Sequence, residues 1–448
     1  MLYRKIEALI TEYLKSDSQK ILLVDGARQV GKTYIIRHAG QEIFENFIEI
    51  NMIEDSLGKR YFADITSVDD FYLQLSMIAG DRMKERENTL VFIDEIQAYP
   101  KLLTLLKFLA QDGKFTYIAS GSLLGVTLSQ TPSIPMGSIK RVRMFPLDFE
   151  EFLYANGFNT FAISALRNKF RRLESLDQPT HDRMLDLFKK YLLIGGMPDA
   201  VNSYIADKNI VPVREIQNEI REYYAADAAK YDDEKKLKIR RIYDLIPSNM
   251  ENKKKRVVAK SIENKKGKTF LDYEDEFEYL ISAGIALNVQ AISTPVFPLI
   301  ESAGKNLLKL YMNDAGLLTS ILYGNNIRAV LDDVRSINLG SVYETVVASE
   351  LIAHGYKLYY YDNRNKGEVD YLIDDYGSLS VVPIEVKSGK DYTVHSALNK
   401  FVSNDDYNIK KAFVVSNERE IKTKGKITYI PIYYIMFFDA AELSDERI

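Results

Sequence analysis

At 448 residues, 46% hydrophobic and 27% charged, the chain has length for roughly two to four domains and too much apolar content for extensive disorder. It has no cysteine, which excludes disulfides, thiolate metal sites and a cysteine nucleophile, and its four histidines (His38, His181, His354, His395) lack the spacing of a histidine metal centre. The net charge of −4 hides an asymmetry: residues 230–268 hold 14 Lys/Arg against 6 Asp/Glu, a surplus of eight, so the remainder stands at −12.

The opening "MLYRKIEALITEYLKSD" spaces Leu and Ile for an amphipathic helix and has no signal-peptide apolar core. The longest apolar run, near "YIPIYYIMFF", falls short of the ~20 residues a membrane span needs, so the expectation is a cytoplasmic protein with no membrane partner. The buried-strand run "KILLVDG" then leads into "GARQVGKT" and a helix-opening "YIIRHAGQEI". Gly26, Ala27, Arg28, Gln29, Val30, Gly31, Lys32 and Thr33 match GxxxxGK[ST] in full, and Tyr34 follows at the helix start. Strand, glycine loop and helix wrap backbone N–H groups round phosphates at the positive end of the helix dipole. Lys32 is placed for the β/γ phosphates of ATP, and Thr33 for Mg²⁺.

"NTLVFIDEIQ" supplies the partner strand, expected next to the loop's own strand, with Asp94 for Mg²⁺ and Glu95 to orient or deprotonate the attacking water. "KFTYIASGSLLG" reads as a further strand, residues 115–119, whose end presents Ser120 or Ser122; this resembles the sensor-1 position of AAA-type ATPases. Arg141 and Arg143 read either as an arginine finger or as exposed residues of an edge strand. Residues from about 150 to 225 carry helical spacing broken by "LIGGMPDAV" at Gly195, Gly196 and Pro198, a turn between helices. The basic segment follows as helix, polar turn, helix and short apolar strand, an order that resembles a winged helix-turn-helix. Its runs at 253–256 and 265–268 suit DNA phosphates, or are a solvated face.

"NKGEVDYLIDDYGSLSVVPIEVKSGK" reads as a hairpin turning at Gly377-Ser378, a Gly-first pair suited to a two-residue type II′ loop. Paired residues then sum to 755, which sets Asp370 opposite Glu385, with Lys387 on the same face. Facing carboxylates need a cation, which Lys387 or a bound Mg²⁺ or Mn²⁺ can provide. The spacing D-x14-E-V-K resembles the PD-(D/E)XK nuclease core, and Glu344 in an amphipathic helix upstream offers a further acid. Pro383 threatens the register, and Glu368 is an alternative to Asp370.

In order, "GARQVGKT", "VFIDEIQ", "SGSLLG", "PLDFEEF", "YLLIGGMPDAV", "KLYMNDAGLL" and "VYETVVASEL" resemble the bacterial and archaeal AAA-type ATPases with a C-terminal domain of unknown function. Where that family commonly has Gly-Arg, this chain has Gly137-Ser138. The resemblance implies an α/β fold: a P-loop NTPase (ASCE/AAA-type) parallel sheet over residues 1–150, a helical lid (151–225), a winged-helix-like middle (226–300) and a C-terminal α/β restriction-endonuclease-like domain (301–448). It implies an Mg²⁺-dependent ATP hydrolase that acts on nucleic acid, with DNA favoured, and that can form homo-oligomers. Its expected catalytic groups are Glu95, Lys32, Ser120, Asp370, Glu385 and Lys387, and its metal ligands Thr33, Asp94, Glu344, Asp370 and Glu385. The alternative is a nucleotide-controlled switch whose C-terminal domain binds a partner without cutting it.

Overall fold

The computed structural model describes residues 1–52, 61–62, 65–122, 124, 127, 136–231, 235–252, 255, 257, 259–263, 267–332, 334, 337, 339–363, 367–389 and 393–440. They form two compact units, one of residues 3–145 with 282–284, the other of the remainder. Among the described residues, no helix is long and apolar enough to cross a membrane.

The first unit runs α1 (Lys5–Lys15), β1 (Ile21–Asp25), α2 (Lys32–Ile43), β2 (Asn46–Asn51), α3 (Val68–Ala79), β3 (Thr89–Asp94), α4 (Pro100–Asp112), β4 (Thr116–Gly121) and β5 (Ile139–Arg143). Its sheet has the order β2-β3-β4-β1-β5, every neighbour parallel. Parallel strands are covered on both faces, which is why β1 and β3 are buried at every residue instead of alternating. Leu23, Ile48, Phe71, Val91, Leu106 and Tyr117 are among the side chains that fill the core. The strand bearing Asp94 does not lie beside β1, as expected from the sequence; β4 stands between them. The loops after β1, β3 and β4 therefore open together at the carboxyl end of the central strands, where α/β folds bind ligands.

Helices occupy the next stretch: α5 (Phe149–Ala155), α6 (Thr160–Arg171), α7 (Gln178–Ile194), α8 (Pro198–Asp207), α9 (Ile210–Tyr231), α10 (Lys236–Glu251), α11 (Ala259–Glu263) and α12 (Glu274–Ser282). Gly195 turns the chain at φ +72°, and a Cβ on Gly196 would sit 2.0 Å from the Leu147 carbonyl oxygen, so that corner tolerates no side chain. The Gly196 N–H donates to the Asp314 carboxylate at 2.6 Å. Asp314 also caps α13 (Ala315–Tyr323) through the Leu317 N–H at 2.9 Å, which ties "GGMPD" to "NDAGLL". Burial pushes the Asp314 carboxyl up to about 6 against the pull of those donors.

An eight-stranded mixed sheet completes this unit. β6 (Ala286–Ile292) and β7 (Ala303–Met312) precede α13, α14 (Arg328–Leu331) and α15 (Gly340–Ala353). β8 (Tyr359–Asn363), β9 (Gly367–Asp375), β10 (Ser380–Val386), α16 (Ser396–Val402), β11 (Ala412–Ser416), β12 (Lys422–Lys424) and β13 (Ile427–Pro431) follow. The order is β12-β13-β11-β10-β9-β8-β6-β7. β6, the short apolar strand of the winged-helix reading, pairs with β7 and β8 in this sheet, and the expected boundary at 300/301 falls between β6 and β7. "IYYIMF" after Pro431 is a 3₁₀ segment, Ile432–Phe437.

The β9–β10 register is the expected one: Ser380 pairs with Asp375, Val382 with Ile373 and Ile384 with Tyr371, each pair summing to 755, and Pro383 faces Leu372 without a shift. The turn differs. Four residues, 376–379, form it, with Leu379 left-handed at φ +48°. The Asp375 carboxylate accepts from the N–H groups of Gly377 and Ser378 and from the Ser378 hydroxyl. An aspartate-organised turn centred on the same pair keeps the register that a type II′ loop would have set. α15, expected to be amphipathic, is buried round most of its circumference, from Ser341 to Ala348 and again at Glu350 and Leu351.

Candidate functional site

The loop after β1 is shaped by glycine chemistry. Gly26 (φ +153°) brings its backbone against Met144, whose carbonyl oxygen would lie 2.2 Å from a Cβ, and Gly31 (φ +94°) starts α2 in the left-handed region. Gln29 is left-handed at φ +64°. Ala27 is buried, and Val30 is fully buried, so Val30 offers its backbone and not its side chain to the cradle. Tyr34 is exposed.

Lys32 folds back over the loop, donating to the carbonyl oxygens of Gly26 (3.0 Å) and Ala27 (2.8 Å). Burial lowers its pKa, and the nearby carboxylates of Glu95, Asp94 and Asp25 oppose that. The Thr33 hydroxyl donates to Asp94 Oδ2 at 2.7 Å, and Asn51 Nδ2 lies 3.5 Å from the same oxygen. Ser120 donates to Asp94 Oδ1. Burial raises the Asp94 pKa, and its bonds from Ser120 and Thr33 hold it down.

Both candidate serines are engaged. Ser120 takes Asp94, and Ser122 donates to Glu95 Oε2 at 3.2 Å while Arg28 reaches Ser122 at 3.4 Å. Gln97 also donates to Glu95, whose backbone is left-handed at φ +54°. Gln97, Asn51 and Asp25 are site residues that the motifs do not announce, although Gln97 sits in the "DEIQ" run itself. Arg141 and Arg143 both pair with Asp25 at the foot of the loop, Arg141 Nε at 3.1 Å and Arg143 at 3.4 Å. Their guanidinium groups thus lie on a carboxylate of the loop's own strand. The oxygen donors Thr33 and Asp94 fit a hard divalent cation such as Mg²⁺.

A second cluster forms in the other unit. Asp370 Oδ2 accepts the Val386 N–H at 2.9 Å, placing it beside Glu385 as the ladder requires. Lys387 donates to Glu385 Oε1 at 2.8 Å, and Glu385 Oε2 is buried with no hydrogen-bond partner among the described residues. Glu344 enters from α15, takes the Tyr311 hydroxyl at 3.1 Å and pairs with Lys255. The three acids, both lysines and Val386 line one cavity of about 310 Å³. Burial and the Asp370 carboxylate push the Glu385 carboxyl up to about 8 despite Lys387, and the same two causes raise Glu344. Glu368, the alternative to Asp370, pairs with Lys309 and does not line this cavity. An all-oxygen set with one unsatisfied buried oxygen fits Mg²⁺ or Mn²⁺.

His354 meets carboxylates that its sequence spacing hides. Asp148, Glu350 and His354 come together, with His354 Nε2 3.1 Å from Asp148. Their bonds are structural: Asp148 caps α5 by accepting the Glu151 N–H at 2.8 Å, and Glu350 accepts the Phe149 N–H at 2.7 Å. Of the basic runs, Lys253, Lys254, Arg256, Lys265 and Lys266 lie outside the described residues; Lys255 and Lys268 lie within them.

A glycine loop between a buried strand and a helix, met by a carboxylate from a second strand of a parallel sheet, is the architecture of P-loop nucleoside triphosphatases. Comparison with known proteins narrows the class. Residues 18–153 match the family model described as an AAA domain, so the chain carries an AAA-type ATPase domain. Residues 185–327 and 339–435 match two models described as domains of unknown function (DUF8612 and DUF4143). Among solved structures, the chain is similar to a Walker-type ATPase of Pyrococcus abyssi at 14% identity and a TM-score of 0.42, covering 72% of this chain and 96% of that one. It is also similar to the Orc1 protein of Aeropyrum pernix in complex with DNA (14% identity, TM-score 0.32, 75% and 93% covered). The third is an Hsp104–ADP complex from S. cerevisiae (13%, 0.30, 63% and 39%). No curated protein matches the sequence.

Proposed function

We propose that the chain is an Mg²⁺-dependent ATPase that acts on nucleic acid, and that the cluster of Glu344, Asp370, Glu385 and Lys387 is a metal-dependent phosphodiester-hydrolysing site. The observation that carries the second half is the buried oxygen of Glu385 that has no partner among the described residues, beside Asp370, an arrangement of carboxylates that a divalent cation satisfies.

In the ATPase unit, Lys32 and the loop N–H groups bind the triphosphate, while Thr33 and Asp94 hold the cation. Glu95, steadied by Gln97 and Ser122, orients the attacking water and accepts its proton; Ser120 aims Asp94 and favours its ionised form against the effect of burial. When bound, Mg²⁺ neutralises phosphate charge. In the second cluster Lys387 positions the water beside Glu385. The basic segment with α11 and α12, read as winged-helix-like, supplies the DNA contact through its lysines, and their phosphate contacts make binding salt-dependent.

Lys32→Ala and Glu95→Gln should each abolish ATP hydrolysis. Duplex DNA, single-stranded DNA and RNA with Mn²⁺ test the second half: cleavage should vanish in Asp370→Ala and Lys387→Ala, and no cleavage of any of the three by the unaltered chain removes the nuclease assignment. One observation favours a second reading, a nucleotide-controlled switch with a partner-binding C-terminal domain: two of the three acids already face a lysine, Lys255 on Glu344 and Lys387 on Glu385. Slow turnover with retained nucleotide and no cleavage would support it.

A further inference from the structure

Besides Lys387 on Glu385, two lysine–glutamate pairs stand at or beside the acid cluster, and they are built differently. Lys309 stands on β7, wholly buried, paired with Glu368 and 4.6 Å from the centre of the Tyr360 ring. A strand holds its backbone and its ammonium lies over an aromatic face, so it belongs to the packing of the sheet. Lys255 stands on no helix or strand. Its backbone is left-handed at φ +46°, a conformation that a β-carbon disfavours, and its own N–H donates to the Asn252 carbonyl at 3.0 Å. Beyond it, the Val257 N–H reaches Leu308 only at 3.3 Å. Yet its ammonium is carried into the acid cavity and laid on Glu344, with its side chain 20% exposed.

We infer that Lys255 is a resident counter-cation of the acid cluster, delivered by the basic segment, and that it must leave Glu344 before a divalent cation can enter. The inference rests on the reading of Glu344, Asp370 and Glu385 as a metal cluster. The cavity gathers three carboxylates and two ammonium groups. Lys387 is committed to Glu385 at 2.8 Å, which leaves Glu344 to Lys255. Glu344 cannot give the same oxygen to an ammonium and to a metal ion, and two cations this close repel. The site is also composite: Lys255 falls in the stretch matching one family model, 185–327, while the acids fall in the stretch matching another, 339–435. A polyanion that attracts the basic run competes with Glu344 for this ammonium, so substrate and cation would admit each other.

The test is a Mn²⁺ titration of the full chain by calorimetry, without nucleotide and in an Asp94→Asn background that silences the other cation site. Lys255→Gln should bind Mn²⁺ more tightly, by on the order of tenfold or more. Lys255→Arg, which keeps the charge, should match the unaltered chain and controls for loss of fold. Equal or weaker binding by Lys255→Gln, where the unaltered chain binds Mn²⁺ and Asp370→Asn does not, overturns the inference and leaves the metal reading standing. No Mn²⁺ binding by the unaltered chain and by Lys255→Gln alike overturns the metal reading, and the inference falls with it.

Discussion

Raising the pH from about 6 to about 8 should tighten Mn²⁺ at the Glu344–Asp370–Glu385 cluster, because a proton must leave before the metal binds. Glu385 is the group that holds it: burial and the facing Asp370 carboxylate push its pKa up to about 8, and Lys387 only partly offsets them. With one proton displaced, the apparent affinity is reduced by a factor of 1 + 10^(pKa − pH), about 100 at pH 6 and about 2 at pH 8, so it should rise about 50-fold between them and level off above. Stability moves the other way. The folded carboxyl binds its proton more tightly than an unfolded one near 4.5, so the native state loses stability as pH rises from about 4.5 through about 8. Glu385→Gln should remove that slope. Calorimetry in the Asp94→Asn background, repeated in buffers of different ionisation enthalpy, reads both the affinity and the proton released. An affinity flat across this range, with no proton released, would refute the assignment of a protonated Glu385 to the metal cluster.

Three further outcomes are expected. Asp314→Ala should lose about 2–4 kcal/mol of stability, from a helix cap and from the Gly196 N–H left buried without an acceptor, seen as a lower urea midpoint. Gly26→Ala should abolish nucleotide binding and cost about 1–3 kcal/mol, since its Cβ meets a backbone oxygen at 2.2 Å, and binding of a fluorescent ATP analogue checks it. Gln97→Ala should lower kcat for ATP on the order of tenfold with KM unchanged, because Glu95 loses the side chain that steadies it and the phosphate cradle is untouched.

What the sequence made legible was local. The strand–loop–helix around Gly26 to Thr33 needs backbone conformations that only its own residues decide, and the β9–β10 register follows from two runs meeting at one turn. Even there the cause of the turn is a different one: Gly377 suggests a glycine turn, while the Asp375 side chain does the organising. Non-local facts were out of reach. Nothing in the run around Asp94 reveals that β4 separates it from β1, and nothing near Arg141 and Arg143 announces Asp25, more than a hundred residues earlier. Periodicity misjudges α15 because a helix packed on most sides carries no polar stripe, and Glu344 survives in it through Lys255 and Tyr311.

The parallel pairing of β6 with β8 bears on how this protein can be dissected. A fragment trimmed to the last family match, starting near residue 339, would strip β6 and β7 away and bare the flank of β8, with Tyr359, Tyr360 and Tyr361 on it. An uncovered ribbon of that kind recruits other chains. Excision that respects the sheet has to begin before Ala286, and only one that begins before Lys255 also keeps the ammonium that meets Glu344.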